Sequence, residues 1–201
     1  MSDEVLEKIR QTVVCSEKQT LFLYLGALRP IRGFDALLKA FPEVVKKNLH
    51  AKLLVLARGA NDEKCADYMR EFQQQGIAEN VSIIGGWLEK DEVRAYIEIS
   101  DIVVLPFVLV PSDIPIAALE ALARAKPVIV SNVDGLPELA QGRGLVIDPL
   151  DKDEFASCMS DIAGDEKSLI KYQQAANDYM TSYPRWADVG NLMDKICSKY
   201  R

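Results

Sequence analysis

The sequence predicts an α/β fold: a doubly wound parallel sheet of six strands in the order 3-2-1-4-5-6, flanked by helices and followed by a helical C-terminal extension. Three observations lead there. Short runs such as TLFLYL (20–25), KLLVLA (52–57) and VSIIG (81–85) are mostly apolar, as expected of strands buried on both faces. Segments with apolar residues at helical spacing separate them, so strand and helix alternate along the chain. The strand ends carry Gly26, Gly59, Gly85, Pro106 and Asn132, and ligands of such sheets bind beyond the carboxyl ends of the strands.

The elements follow in order. Residues 1–18 place Val5, Leu6, Ile9 and Val13 at roughly helical spacing, which suits a short amphipathic helix or a linker. The first strand, 20–25, ends at Gly26, and after a loop to Gly33 a helix over 34–47 repeats Phe34, Leu37, Leu38, Phe41, Val44 and Val45. The second strand, 52–57, leads through Arg58-Gly59-Ala60-Asn61 to a helix near 62–75. The third, 81–85, is followed by Gly86-Trp87 and a helix over 89–99. Ile102 to Pro106 is the fourth strand, 114–125 the fourth helix, and Pro127 to Ser131 the fifth strand. A short helix near 136–140 and a weaker strand at 144–147 complete the alternation. Helices over 151–164 and 166–182 come next, then a last one after Pro184-Arg185-Trp186. The expected organisation is a linker or short helix (1–18), one sheet domain (19–165) and C-terminal helices (166–201).

Composition narrows the function. With 201 residues and 49% hydrophobic content the chain can bury one sizeable core. A formal charge of −6 gives no overall basic field to hold nucleic acid. Cys15, Cys65, Cys158 and Cys197 form no CxxC pair and His50 is the one histidine, which supports neither a zinc site nor a disulfide scaffold and suits a reducing compartment. The segment at Met1 lacks the apolar core of a signal peptide, and no run is long enough to span a bilayer, so a soluble, cytoplasmic protein is expected.

Neither GxGxxG nor GxxxxGK[ST] is present, which argues against NAD enzymes and P-loop NTPases. Asp151-Lys152-Asp153 resembles a short metal-holding acidic motif, but an Asp N-cap with Glu154 three residues on is the better reading. His50 has no second histidine or triad context, and Trp87 and Trp186 read as packing anchors rather than stacking platforms. The stretch Leu105–Glu138 looks most like a site. A helix opening at Asp113-Ile114-Pro115 beside the carboxyl ends of parallel strands would offer free N–H groups to an anion. Arg29 and Arg32, in the loop after the first strand, are of a type suited to bidentate phosphate contacts. Glu120 has a plainer reading as a helical pair with Arg124, and spacing alone prefers it.

Taken together, YLGALRPIRGFDALLKAF, AKLLVLARG, NVSIIGGWLEKDEVRAYIEISDIVVLPF, ALEALARAKPVIVSNVDGLPEL and GRGLVIDP resemble, in family order, the Rossmann-like nucleotide-sugar-binding half of the family 4 (group 1) glycosyltransferases of GT-B fold. The tail around Tyr183-Pro184-Arg185-Trp186 is similar to the family's C-terminal crossover helix. The resemblance implies transfer of a sugar from a nucleotide donor such as a UDP- or GDP-sugar, with retention, in glycan biosynthesis, without a bound metal or other cofactor. It places the phosphate-binding basic residue at Arg32-Gly33, where Lys-Gly is more usual, and the ribose-binding Glu of the family's Glu-x7-Glu motif at Glu120. Backbone at Gly85-Gly86-Trp87, with Arg58-Gly59 nearby, would line the base pocket, and Gly135-Leu136-Pro137-Glu138 matches the family's GLPE turn. The implied donor-binding set is Gly26, Arg29, Arg32, Gly33, Arg58, Gly59, Gly86, Trp87, Ser112, Asp113, Ile114, Ile116 and Glu120.

Two positions depart from the family. The first Glu of the pair would stand at 112, where this chain has Ser112 with Asp113 beside it, so no catalytic residue is assigned in that region. The usual Arg after the first-strand Gly is Ala27, and Arg29 is the candidate to supply its charge. The resemblance also implies an N-terminal GT-B lobe holding the acceptor, a glycan, lipid or protein. Nothing in these residues encodes that lobe, so an excised half, inactive alone, is expected, with any membrane association supplied by the missing domain. The alternative is a degenerate, non-catalytic partner subunit.

Overall fold

The structure, a computed structural model, describes residues 9, 13, 19–110 and 115–199. The expected N-terminal helix or linker, apart from buried Ile9 and Val13, and the candidates Ser112, Asp113 and Ile114 lie outside the described residues.

Six strands, β1 (Thr20–Gly26), β2 (Ala51–Arg58), β3 (Val81–Gly86), β4 (Ile102–Leu105), β5 (Val128–Ser131) and β6 (Gly144–Ile147), form one sheet in the order β3-β2-β1-β4-β5-β6. Every neighbouring pair is parallel, as expected from apolar runs separated by helices. The helices are α1 (Phe34–Lys47), α2 (Asp62–Gln74), α3 (Lys90–Ile99), α4 (Ile116–Leu122), α5 (Leu136–Ala140), α6 (Lys152–Ala163), α7 (Glu166–Ser182) and α8 (Trp186–Ser198).

Side chains alternate across a strand, so the sheet makes two cores. Phe22, Tyr24, Leu53, Val55, Val104 and Ile129 face α1 and α6, where Phe34, Phe41, Phe155 and Met159 are fully buried. Leu21, Leu23, Leu54, Val103, Leu105 and Val130 face the opposite way, against Ala95 and Ile97 of α3, Ala118 and Leu122 of α4, Leu136 and Leu139 of α5, and Ala176 of α7. Between β1 and β4, where the strand order reverses direction, Asp101 Oδ2 accepts from the Leu21 N–H at 2.8 Å. Burial pushes the Asp101 carboxyl up from its ordinary range, against the pull of that hydrogen bond and of Lys126.

The fourth helix is shorter than its periodicity suggests. It spans Ile116–Leu122 rather than 114–125. Ala125 sits in the left-handed region at φ 53°, with its N–H on the Leu122 carbonyl and the Lys126 N–H on the Ala121 carbonyl. Those two bonds are a Schellman stop, and Pro127 beyond prevents the chain from continuing as helix. The start of α6 is as the capping reading required: Asp151 Oδ1 accepts from the N–H groups of Asp153 and Glu154 at 3.1 and 2.9 Å. The acidic triplet is thereby occupied with its own helix.

The C-terminal extension divides in two. α7 contacts both α4 and α6, and α8 has no buried residue. Trp186, Val189, Leu192, Met193 and Ile196 of α8 are all exposed, spaced along the helix at three- and four-residue intervals.

Candidate functional site

The loops after β1 and β4 meet at the switch point, and backbone ties them. After Gly26 the chain makes a 3-10 turn, Pro30–Arg32, closed by the Gly33 N–H on the Pro30 carbonyl. The N–H groups of Val108 and Leu109 both donate to the Ile31 carbonyl, at 3.0 and 3.2 Å. Gly33 has φ 71°, and a Cβ there would stand 1.6 Å from the Pro106 carbonyl oxygen. Only glycine lets the two loops close this far.

Arg32 is held inside this clip. Its guanidinium lies over the Phe107 ring, 4.9 Å from the centroid, and the side chain is half-buried. From below, the buried Tyr24 hydroxyl donates to the Ala27 carbonyl at 2.9 Å. Burial raises the Tyr24 pKa far above its ordinary value despite the nearby Arg32 charge, so the phenol stays a neutral donor. On the other flank, Lys64 Nζ donates to the Leu28 carbonyl at 2.8 Å, joining the start of α2 to the same loop. Arg29 is exposed, with no side-chain hydrogen bond or ion pair among the described residues. A groove beside the turn is lined by Pro30, Ile31, Gly33, Val108 and Leu150.

A second cluster forms where β2 and β3 end. Arg58 is in register with Gly86, and the Gly59 N–H donates to the Gly86 carbonyl at 2.8 Å. The Arg58 guanidinium lies over the Trp87 ring, 4.9 Å from its centroid. Trp87 and Trp186 are 76% and 90% exposed, so neither is the packing anchor expected of it. Trp87 leaves the sheet after Gly86, whose φ of 96° turns the chain outward, and Trp186 sits on a helix with no buried residue.

Glu120 is exposed on α4, and Arg124 does not pair with it. Arg124 reaches across to Glu98 of α3 instead, Nη1 to Oε2 at 3.1 Å. The surface-pair explanation for Glu120 is therefore wrong, because α3 offers Arg124 a carboxylate on the side it faces. Ile116, at the first position of α4, is 73% exposed.

The structure thus brings Gly26, Arg29, Arg32 and Gly33 onto one loop, Arg58, Gly59, Gly86 and Trp87 onto the adjacent strand ends, and Glu120 and Ile116 onto the helix following β4. Phe107, Tyr24 and Lys64 support the first group and were not anticipated. Tyr24 had a readable signal, since a tyrosine inside a buried strand needs a partner for its hydroxyl. Among the described residues no group of three His, Cys, Asp or Glu side chains is placed to hold a metal, and no helix is long and apolar enough to cross a membrane.

A parallel sheet in this order, with helices on both faces, defines a doubly wound α/β domain of the Rossmann-like class. Residues 19–165 match the family described as glycosyl transferases group 1, and the chain belongs to that family. An uncharacterized glycosyltransferase of Methanocaldococcus jannaschii is 30% identical over 155 residues, covering 75% of this chain and 38% of the relative. The chain spans less than half the length of the curated relatives it matches. An Anabaena protein solved in complex with UDP and glucose superposes with a TM-score of 0.80 at 16% identity, over 99% of this chain and 53% of that one. The C-terminal domain of a glycosyl transferase group 1 family protein from Francisella tularensis gives a TM-score of 0.75 at 19% identity, over 90% of this chain and 94% of that one. The expected family and Rossmann-like GT-B fold are thereby confirmed.

Proposed function

We propose that this chain is the donor-binding half of a retaining, metal-independent GT-B glycosyltransferase, which takes a sugar from a nucleotide-sugar and passes it to an acceptor on a second lobe. The observation that carries the reading is the clip at the switch point. Arg32, fixed on Phe107 beside Gly33, presents a guanidinium where ligands of doubly wound sheets bind. Glu120, left without an ion pair among the described residues, is the ribose ligand in this reading, with Arg29 a second phosphate contact.

The reaction needs charge stabilised on the departing diphosphate, and a preorganised guanidinium supplies that at no reorganisation cost. α4 is only seven residues long, so Arg32 rather than the helix dipole is the principal diphosphate ligand. The second lobe is supported by the exposed apolar face of α8 and by relatives more than twice as long as this chain. In this reading the isolated chain binds donor and does not transfer sugar.

Calorimetric titration with UDP, GDP and ADP tests the reading. One of the three is expected to bind, and Glu120→Ala to weaken it about tenfold through lost charge-assisted hydrogen bonds to the ribose. If no nucleotide binds, the non-catalytic partner alternative, to which Ser112 and Ala27 already point, replaces it.

A further inference from the structure

We infer that the groove between the loops after β1, β4 and β6 holds the apolar chain of a phosphate-linked amphiphile, the acceptor in the donor-half reading above, on which this inference rests. Ile31, Val108 and Leu150 lie far apart in sequence, yet with Pro30 and Pro149 they line one open groove of about 390 Å³, a volume in the range of small-molecule sites. They are 43%, 40% and 79% exposed, so three large apolar side chains face water in one place. Single exposed apolar residues are ordinary on a protein surface, whereas a cluster rimmed by charge marks a place where something apolar binds.

The walls are set before anything enters. The Ile31 carbonyl accepts from the N–H groups of both Val108 and Leu109, at 3.0 and 3.2 Å, which locks the first wall to the second. The Leu150 N–H donates to Asp148 Oδ1 at 2.8 Å and the Asp151 N–H to the Asp148 carbonyl at 3.1 Å, so the turn carrying the third wall is held at the start of α6. Pro30 and Pro149 add two residues of fixed φ. Walls tied in this way do not collapse onto one another, and a ligand that covers them loses little ordering entropy.

Size, charge and position choose the occupant. A stable protein interface buries about 1,000 Å² or more, far beyond what three side chains and two prolines offer, so the groove suits a chain rather than a protein surface. Lys39 and Lys152 stand at its rim against one carboxylate, Asp35. Lys152 leans toward Glu43 at 3.5 Å, whereas Lys39 is exposed and makes no ion pair among the described residues. An alkyl or isoprenoid chain on the apolar walls therefore meets, at the rim, an ammonium ready for a phosphate. Gly33, next to Arg32, also lines the groove, so a chain lying there runs up to the diphosphate ligand of the proposed donor.

Calorimetry with butyl, hexyl and octyl phosphate, each below its micelle concentration, tests this, with inorganic phosphate as the headgroup alone. Affinity is expected to rise about three- to fourfold per added methylene, as burial of an alkyl chain requires. Leu150→Ser and Val108→Ser, at exposed positions outside the core, are each expected to weaken octyl phosphate about tenfold while UDP, GDP and ADP bind as they do to the parent. Lys39→Gln is expected to weaken octyl phosphate to a similar degree, about tenfold, and to leave octyl glucoside, which has no phosphate, unchanged. Affinity independent of chain length, or octyl phosphate binding that both serine variants retain in full, overturns the groove and leaves the donor reading standing. A parent that dimerises in sedimentation while Leu150→Ser does not assigns the groove to a second copy and overturns it too. Chain-length dependence in a parent that binds no nucleotide overturns the donor reading and, with it, the acceptor role.

Discussion

Gly33→Ala is expected to lose about 2–5 kcal/mol of folding stability, the sum of a left-handed alanine at about 1–2 kcal/mol and an overpacked contact at about 1–3 kcal/mol. The reason is local and severe: φ is 71° and the new Cβ would fall 1.6 Å from the Pro106 carbonyl, which is backbone and cannot swing aside. Gly142 supplies the control. It also has positive φ, 73°, but no atom lies within 4 Å of its Cβ position, so Gly142→Ala should lose only the conformational share. In thermal unfolding the Gly33 variant is expected to fall by roughly 10 °C, at about 2–4 °C per kcal/mol for a domain of this size. Equal losses at the two glycines would show that the loops after β1 and β4 are not clipped together.

Arg32→Ala is expected to weaken nucleoside diphosphate binding by about 1.5–3 kcal/mol, the range for a hydrogen bond to a charged group. That corresponds to roughly ten- to hundredfold in affinity. The fold should survive, since the guanidinium rests on Phe107 at the edge of the core rather than inside it. Arg32→Lys should recover part of the loss, because an ammonium keeps the charge but not the fork. Arg29→Ala separates the two arginines: Arg29 is exposed and unsupported by any ring, so its loss should be smaller, and no loss at all would reject it as the substitute for the family's missing arginine. Calorimetry on the three variants reads all of these.

Much of this arrangement was written plainly in the residues. Strands buried on both faces leave continuous apolar runs, and glycine, proline and asparagine mark their ends, so TLFLYL and KLLVLA identified themselves; β3 is an edge strand, buried at Val81 and exposed at Ser82, and was legible from its flanking glycines and Val81, Ile83 and Ile84. Asp151 announced its cap because the carboxylate and its N–H partners are neighbours in sequence. The failures are of another kind. Nothing in local spacing reports that Ala125 adopts a left-handed conformation, so helical periodicity carries α4 three residues too far at its C-terminal end. Nothing in the spacing of Glu120 and Arg124 reports that Glu98, on a different helix, captures the arginine. Composition favours burying tryptophan, so the sequence reads Trp87 as a packing anchor, whereas its exposure depends on where β3 ends relative to β2. Phe107 was missed because a phenylalanine beyond an apolar strand looks like more strand until the loop after β1 is folded against it.

Backbone amide spectra of the isotope-labelled chain, recorded as UDP, GDP and ADP are added in turn, would decide whether the carboxyl edge of the sheet is a donor site. For at least one nucleotide, the amides of Gly26, Gly33, Gly59, Gly86 and Trp87 are expected to shift together and saturate with one affinity, while those of Gly142, Gly164 and Gly190 stay in place. Shifts confined to other parts of the chain, or none with any of the three nucleotides, would contradict the donor-site assignment.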